Sequence, residues 1–329
     1  MKVHDVWDYY KNDLTLAEAK IKENLNIVAP AISAVGQHLL MSGGKRIRPI
    51  LVILCSKIFG YSGEKTSILA CSAESIHTAS LLHDDIVDGA DMRRGEPTAH
   101  SLWGSQVVVL VGDYLYSNAL RLINSLESQK IMDAFTQATA MMSEGELIQL
   151  SKKEQTTKGN FTISEEDYIK IIVGKTAILM SASCKGGAVI GNANQEQENA
   201  LTTFGLKFGM AFQIADDILD YMAEENILGK NLGKDIKEGK ITLPLIYLLR
   251  DASEKEVKKV KSVIQSEKLT DSDLSCILEL LEKYRSIKQA YTKAQNILEE
   301  AKGKLDIFED SHEKASLLTI SDYALTRGK

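Results

Sequence analysis

The chain has 329 residues, 44% hydrophobic and 26% charged, which excludes a mainly disordered protein and supplies enough apolar side chains for a large core. Lys and Arg number 39 against 45 Asp and Glu, a formal charge of −6, so no nucleic-acid partner is expected. Only 4 prolines occur, which argues for long uninterrupted helices and against a turn-rich all-β fold.

The opening segment, MKVHDVWDYYKNDL, mixes charge with aromatics and lacks the apolar stretch of a signal peptide. No apolar run approaches the ~20 residues that cross a bilayer. Cys55, Cys71, Cys184 and Cys276 are scattered without a CxxC pair and read as reduced thiols. A soluble, cytoplasmic protein is expected.

The first segment with chemical character is Gly43-Gly44-Lys45-Arg46-Ile47-Arg48-Pro49. A flexible glycine pair and three basic side chains sit where a helix should start, a good seat for a phosphate. It is not a P-loop, because the Gly-x-x-x-x-Gly-Lys-Ser/Thr spacing is absent. Next, Ile68, Leu69, Ala73, Ile76, Ala79 and Leu82 recur at three- and four-residue steps and predict a core-facing helix over Ser67–Leu82. That helix runs into Leu82-His83-Asp84-Asp85-Ile86-Val87-Asp88, with Gly89 marking its end. Asp84 and Asp88 lie one turn apart on one face, with Asp85 beside them. Like charges at that spacing cost a helix about 0.2–0.5 kcal/mol per pair, and the macrodipole disfavours anions at the C-terminal end. Such a cluster calls for a cation, and oxygen-only donors favour Mg²⁺ or Ca²⁺ over zinc. Arg93 and Arg94 follow within a turn or two.

Further helical stripes are predicted over Val107–Ile123, Ile131–Leu150, Ile169–Ile190 and Leu201–Tyr221. The last ends in Ile214-Ala215-Asp216-Asp217-Ile218-Leu219-Asp220, which repeats the first acidic cluster in outline. Lys230, Lys234 and Lys240 follow in a glycine-punctuated segment able to fold around an anion. From about Ala252 to Glu309, apolar residues alternate with Lys and Glu, the pattern of solvent-facing helices. Breaks fall at Ser42–Gly44, Gly60–Gly63, Arg94–Thr98, Lys158–Asn160, Gly191–Gln195 and Glu224–Gly239, and none has a linker's composition. Residues 1–329 therefore read as a single all-α domain. Two matching acidic clusters, each trailed by basic residues, point to a diphosphate held through Mg²⁺.

Taken together, the motifs resemble those of the trans-isoprenyl (polyprenyl) diphosphate synthases. GGKRIRP, Glu74-x-x-His77, LLHDDIVD, MRRGEPTAH, GKTA, FQIADDILD and GKNLGKDIKEGKITLPLI occur in that family's order over about residues 40–246. The resemblance implies the isoprenoid-synthase fold, a helical bundle around a deep central cavity, in a homodimer. It implies a prenyltransferase that joins isopentenyl diphosphate to an allylic prenyl diphosphate. Asp84, Asp88 and Asp216 would be Mg²⁺ ligands, about three ions per site with diphosphate bound, supported by Asp85, Asp217 and Asp220. Arg93, Lys175, Thr176, Gln213, Lys230 and Lys240 match the family's contacts to the allylic diphosphate. Lys45, Arg48, His77 and Arg94 match its pocket for isopentenyl diphosphate.

Product length follows from the same resemblance. Ala79 and Ser80, just before the first cluster, are small where bulky aromatics stop the chain short in the family. An open tunnel and a medium or long all-trans product such as octaprenyl diphosphate, a quinone side-chain precursor, are implied. Ser72 and Ile76, deeper on the same helix, form no aromatic floor, while Leu115 or Tyr116 on a neighbouring helix could serve as a stop. A lipid product implies transient membrane contact without a transmembrane segment. Three rivals explain less. A terpene cyclase of the same fold needs no second pocket, against GGKRIRP and Arg94; a regulatory subunit should lack some motif residues; a helical Mg²⁺- or Ca²⁺-binding scaffold leaves the basic groups unexplained.

Overall fold

A computed structural model describes residues 1–25, 30–41, 44–93, 95–222, 233–266 and 270–326. The chain begins with α1 (Val3–Tyr9), α2 (Lys11–Leu25), α3 (Pro30–Met41), α4 (Ile47–Lys57) and α5 (Lys65–Val87). A short antiparallel pair follows, β1 (Met92–Arg93) and β2 (Glu96–Pro97), with Met92 opposite Pro97 and Arg93 opposite Glu96. Next come α6 (Ala99–Trp103), α7 (Ser105–Asn124), α8 (Gln129–Thr157), α9 (Glu165–Ile172), a π-helical turn (Val173–Ala177), α10 (Ile178–Ile190) and α11 (Gln195–Met222). The last third holds α12 (Lys234–Lys237), α13 (Leu243–Asp251), α14 (Glu254–Ile264), α15 (Asp271–Lys283), α16 (Ser286–Gly303) and α17 (His312–Thr326). The all-α class is borne out, and every apolar stripe read from the sequence is helical. Of the expected breaks, Ser42–Gly43 and the stretch 224–232 lie outside the described residues. No helix among the described residues is long and apolar enough to cross a membrane.

The chain gathers into two compact units, neither of them contiguous in sequence. The first comprises Met1–Thr139, Leu179–Gly205 and Lys304–Ile320. Its centre is α5, against which α2, α4 and α7 pack. Ile21, Leu25 and Val35 of α2 and α3 meet Cys71, Ala79 and Leu82 of α5 and Val108, Val111 and Leu115 of α7 in one apolar cluster. The end of α5 is fixed by a Schellman motif. Gly89 takes φ +62°, its N–H reaches Ile86 O at 3.2 Å, and Ala90 N–H reaches Asp85 O at 3.0 Å. The expected helix stop at Gly89 therefore places Asp84 and Asp88 in the last turn, as read from the sequence. All four cysteines carry free thiols, and burial pushes Cys55 well above its ordinary range beside Cys184.

The second unit comprises Ala140–Ile178, Leu206–Gly303 and the chain from Ser321 onward. Here α13, buried from Leu243 to Leu248, packs against α16, α15, α14 and α9. The alternation of apolar residues with Lys and Glu has the expected result. α14 and α15 expose their charged faces and start in capping boxes, Ser253 with Glu256 and Thr270 with Asp273.

Close helix contact in the first unit rests on Gly187 of α10. A Cβ there would lie 2.7 Å from Val52 O and 2.8 Å from Cys55 Cβ of α4, so the two helices touch backbone to backbone. Gly187→Ala should destabilise the chain by about 1–3 kcal/mol through overpacking, read as a lower denaturant midpoint with unchanged m-value.

Candidate active site

In the first unit, the site residues hang on the start of α4 and the end of α5. Arg46 precedes α4 in the left-handed region at φ +47°. Its guanidinium bonds to Glu18 at 3.0 Å and to the buried Glu74 of α5 at 2.9 Å. Arg46 is thus a tether between helices, which leaves Lys45 exposed and turns Arg48 inward. The indole of Trp7 donates to Lys45 O at 2.8 Å and holds the same turn. Arg48 is only 8% exposed, and its Nε is buried with no hydrogen-bond partner among the described residues. Burial lowers that guanidinium to about 10, against the attraction of Glu74. A buried cation with an unmatched donor suits an anionic ligand. His77 lies one turn after Glu74 on α5 and is half-buried, and its carbonyl accepts from the Ser80 hydroxyl at 2.8 Å.

The first acidic cluster divides by role. Asp85 is buried and accepts from Arg93 Nε at 2.7 Å across the turn that joins α5 to β1, while Asp84 and Asp88 are half-buried on the neighbouring positions. Arg93 therefore meets the protein's own carboxylate as well as any ligand. Of the chain-length positions, Ala79 is wholly buried in the apolar cluster of α2, α3 and α7, and Ser80 is half-buried. Arg94 lies outside the described residues.

In the second unit, a cavity of about 160 Å³ is lined by Lys175, Thr176, Gln213, Asp217, Asp235 and Lys240 among others. The π-helical turn delivers two of them. Ile178 N–H bonds to Val173 O, the i+5 spacing, and the extra residue in the turn lets consecutive Lys175 and Thr176 both line the cavity. The turn lies hard against α8, where a Cβ on Gly174 would sit 2.7 Å from Met141 O and 2.9 Å from Gly145 Cα. Beside that contact, Lys175 forms a close ion pair with Glu146 of α8. From Thr176 a chain of hydrogen bonds runs along the wall. Its hydroxyl donates to Gln213 Oε1 at 2.7 Å, Gln213 Nε2 donates to Asp217 Oδ1 at 2.7 Å, and the buried Tyr168 hydroxyl donates to Asp217 Oδ2 at 2.6 Å.

The second acidic cluster is more crowded than the sequence suggests. Asp216 is exposed and Asp220 half-buried, and the Asp235 N–H bonds to Asp220 Oδ2 at 3.1 Å, bringing a fourth carboxyl to the group. Burial pushes Asp217 up to about 7 and Asp235 up to about 8, and the neighbouring carboxylates add to both shifts. Lys240, at the end of the loop after α12, pairs with Glu238 at 2.7 Å and lines the cavity. Lys230 lies outside the described residues.

These donors fit Mg²⁺. All are hard oxygens, and a divalent cation beside them would offset the mutual repulsion of neighbouring carboxylates that adds to the effect of burial on Asp217 and Asp235. Among the described residues no three Asp, Glu, His or Cys side chains converge into a ready-made cage. Mg²⁺ is reluctant to shed water and is usually held by one or two carboxylates together with substrate phosphates, so the lysines beside the acids complete the logic.

Tyr168, Asp235 and Glu146 do not stand out individually in the sequence, and Arg46, expected there to help seat a phosphate, instead bonds to Glu18 and Glu74. Asp235 stands within the GKDIKEGK stretch and Arg46 within GGKRIRP, so both had a motif to point to them. Glu146, an acid beside Gly145 on an apolar stripe, gave a weaker signal. Tyr168 gave none, because an aromatic on an amphipathic helix reads as core.

Comparison with known proteins points to one family. The family model described as Polyprenyl synthetase matches residues 29–303. An octaprenyl diphosphate synthase of Haemophilus influenzae is 33% identical over 99% of this chain and 98% of its own length. The crystal structure of a decaprenyl diphosphate synthase from Rhodobacter capsulatus superposes with a TM-score of 0.93 at 35% identity, over 99% of each chain. A polyprenyl synthase from Caulobacter crescentus CB15, crystallised with calcium and isoprenyl diphosphate, gives 0.92 at 32% identity, over 100% of this chain and 98% of that one. Other relatives of similar identity are named heptaprenyl, nonaprenyl and geranylgeranyl diphosphate synthases.

The contact at Gly174 yields a direct test. Gly174→Ala should push the π-helical turn off α8, costing about 1–3 kcal/mol of stability by overpacking. It should also weaken binding of inorganic pyrophosphate with Mg²⁺ in calorimetry, because Lys175 and Thr176 move with the turn.

Proposed function

The chain belongs to the polyprenyl synthetase family, and from that premise we propose that it condenses an allylic prenyl diphosphate with isopentenyl diphosphate into an all-trans polyprenyl diphosphate of medium or long chain, such as octaprenyl diphosphate. The observation that carries the reading is the lined cavity of the second unit. Lys175 and Lys240 there share a wall with Thr176, Gln213, Asp217 and Asp235, the mixture of cations and hard oxygens that a Mg²⁺-diphosphate needs.

The proposed roles follow from this placement. Asp84, Asp88 and Asp216 would hold Mg²⁺, about three ions per active site, with Asp220 in support, and the metal would supply positive charge against the leaving diphosphate. Arg93, Lys175, Thr176, Gln213, Lys230 and Lys240 grip the allylic diphosphate, so that the C–O bond breaks with its electron pair going to an already compensated oxygen. Lys45, Arg48, His77 and Arg94 seat isopentenyl diphosphate, whose double bond then attacks the allylic carbon; the released diphosphate takes the proton whose C–H electron pair forms the new allylic double bond. The unmatched Nε of the buried Arg48 supports that seat. Asp85 acts by holding Arg93.

In this reading residues 1–329 work as one catalytic domain and two copies form a homodimer in the cytoplasm. The exposed Val109 and Leu110 of α7 support a self-association surface, and the lipid product supports transient membrane contact. Small residues at Ala79 and Ser80 support the long product. The relatives' names span several chain lengths, and one is component 2 of a Bacillus subtilis heptaprenyl diphosphate synthase, which favours a second reading as one subunit of a pair.

The deciding experiment incubates the purified chain with farnesyl diphosphate, labelled isopentenyl diphosphate and Mg²⁺ and resolves products by length. A discrete, Mg²⁺-dependent product near octaprenyl length is expected, and no product from the chain alone would favour the paired-subunit reading. Asp84→Ala and Asp216→Ala should each lower turnover by orders of magnitude while circular dichroism stays unchanged, since each removes a metal ligand. Ser80→Phe should shorten the product with condensation preserved. It is a cleaner test than Ala79→Phe, which also forces a ring into the packed cluster.

A further inference from the structure

Asp217 stands in the middle of an acidic motif, yet both of its oxygens are engaged by the protein. Oδ2 accepts from the Tyr168 hydroxyl at 2.6 Å, and Oδ1 accepts from Gln213 Nε2 at 2.7 Å. The Tyr168 residue is 3% exposed and Asp217 is buried, so the bond between them is shielded from bulk water. With its amide nitrogen turned to Asp217, Gln213 must turn its oxygen the other way, where it accepts from Thr176 at 2.7 Å. Thr176, Gln213 and Asp217 all line the cavity, and so does Tyr168.

We propose that Tyr168 is a positioning residue for the metal–diphosphate site: its phenol locks Asp217, and through Asp217 it fixes the orientation of Gln213 and Thr176. Asp217 in this view is a keystone next to the metal ligand Asp216, with its oxygens turned to the protein instead of to an ion. The relay ties α9 (Tyr168), the π-helical turn (Thr176) and α11 (Gln213, Asp217) into one wall, so the two substrate-facing polar groups hold their geometry before any ligand arrives. Removing the phenol hydroxyl frees one buried carboxylate oxygen to rotate or to seek another donor, and the Gln213 amide loses its fixed anchor.

This inference rests on reading the cavity as a Mg²⁺-diphosphate site, and its test does not require turnover. The probe is Mg²⁺ with inorganic pyrophosphate, followed by thermal shift. For the unaltered protein, pyrophosphate should raise the melting temperature only when Mg²⁺ is present. Tyr168→Phe should raise the Mg²⁺ concentration for half-maximal stabilisation by about tenfold or more, the usual cost of losing an outer-sphere partner. In steady-state assays, the KM for isopentenyl diphosphate should stay within about twofold. Adding Tyr168→Phe to Asp217→Asn should shift the Mg²⁺ requirement less than about twofold further, because the phenol acts through that carboxylate.

A Tyr168→Phe protein that melts lower but needs no more Mg²⁺ overturns the proposal, since the ring would then be core alone. Equal shifts in both backgrounds overturn it too. If Tyr168→Phe does not fold, Asp217→Asn alone reads the relay from its other side, and an unchanged Mg²⁺ requirement there is a refutation. Absence of Mg²⁺-dependent stabilisation in the unaltered protein would instead bring down the reading of the cavity itself, and the relay with it.

Discussion

Negative charge kept away from water is the constraint on which the rest of this structure depends. An isolated carboxylate in an apolar interior is so costly that it must be matched by a donor, a cation or a proton. The buried Glu74 holds Arg46, the buried Asp85 holds Arg93, and the buried Asp217 takes two donors from Tyr168 and Gln213, while the half-buried Glu146 pairs with Lys175. These pairs do more than balance charge. They set the direction of the basic side chains: because Arg46 is tethered, the turn before α4 takes a left-handed residue and Arg48 is carried inward.

The same constraint divides each acidic motif by function. Three aspartates within five positions look equivalent in the sequence. In the first motif, the aspartate on the inner side of α5 serves the protein, while Asp84 and Asp88 are left partly exposed. In the second, Asp217 is inward and Asp216 outward, and the backbone of the loop at Asp235 anchors Asp220. The rule that neighbouring helical positions lie about 100° apart makes this division unavoidable once one face is buried.

Backbone approach supplies the second organising device. Glycines at 145 and 174 let α8 and the π-helical turn meet without side chains between them, and Gly187 does the same for α10 on α4. The π-helical turn has a further consequence, since its extra residue turns both Lys175 and Thr176 toward one cavity where a regular α-helix would splay them. The proposed diphosphate grip therefore sits where the helical ladder departs from its ordinary period.

Much of this was legible in the sequence. Apolar stripes at three- and four-residue steps identified the long helices, Gly89 identified the end of α5, and the motifs from GGKRIRP to the last glycine-rich stretch identified the family. Such features are local: periodicity, capping and motif spacing are written into consecutive residues. Tyr168, Glu146, the tethering role of Arg46 and the inward face of Asp217 were not legible, because each depends on a partner distant in sequence. Tyr168 meets Asp217 across 49 positions, and Arg46 meets Glu74 across 28. Which acid faces outward and which faces a phenol is decided by packing, where burial of one face selects the pair. The sequence by itself determined the helices, the family and the kinds of atoms available to the site. Only the tertiary structure decided which of those atoms the protein keeps for itself, because desolvation is a property of the folded surroundings and not of the residue.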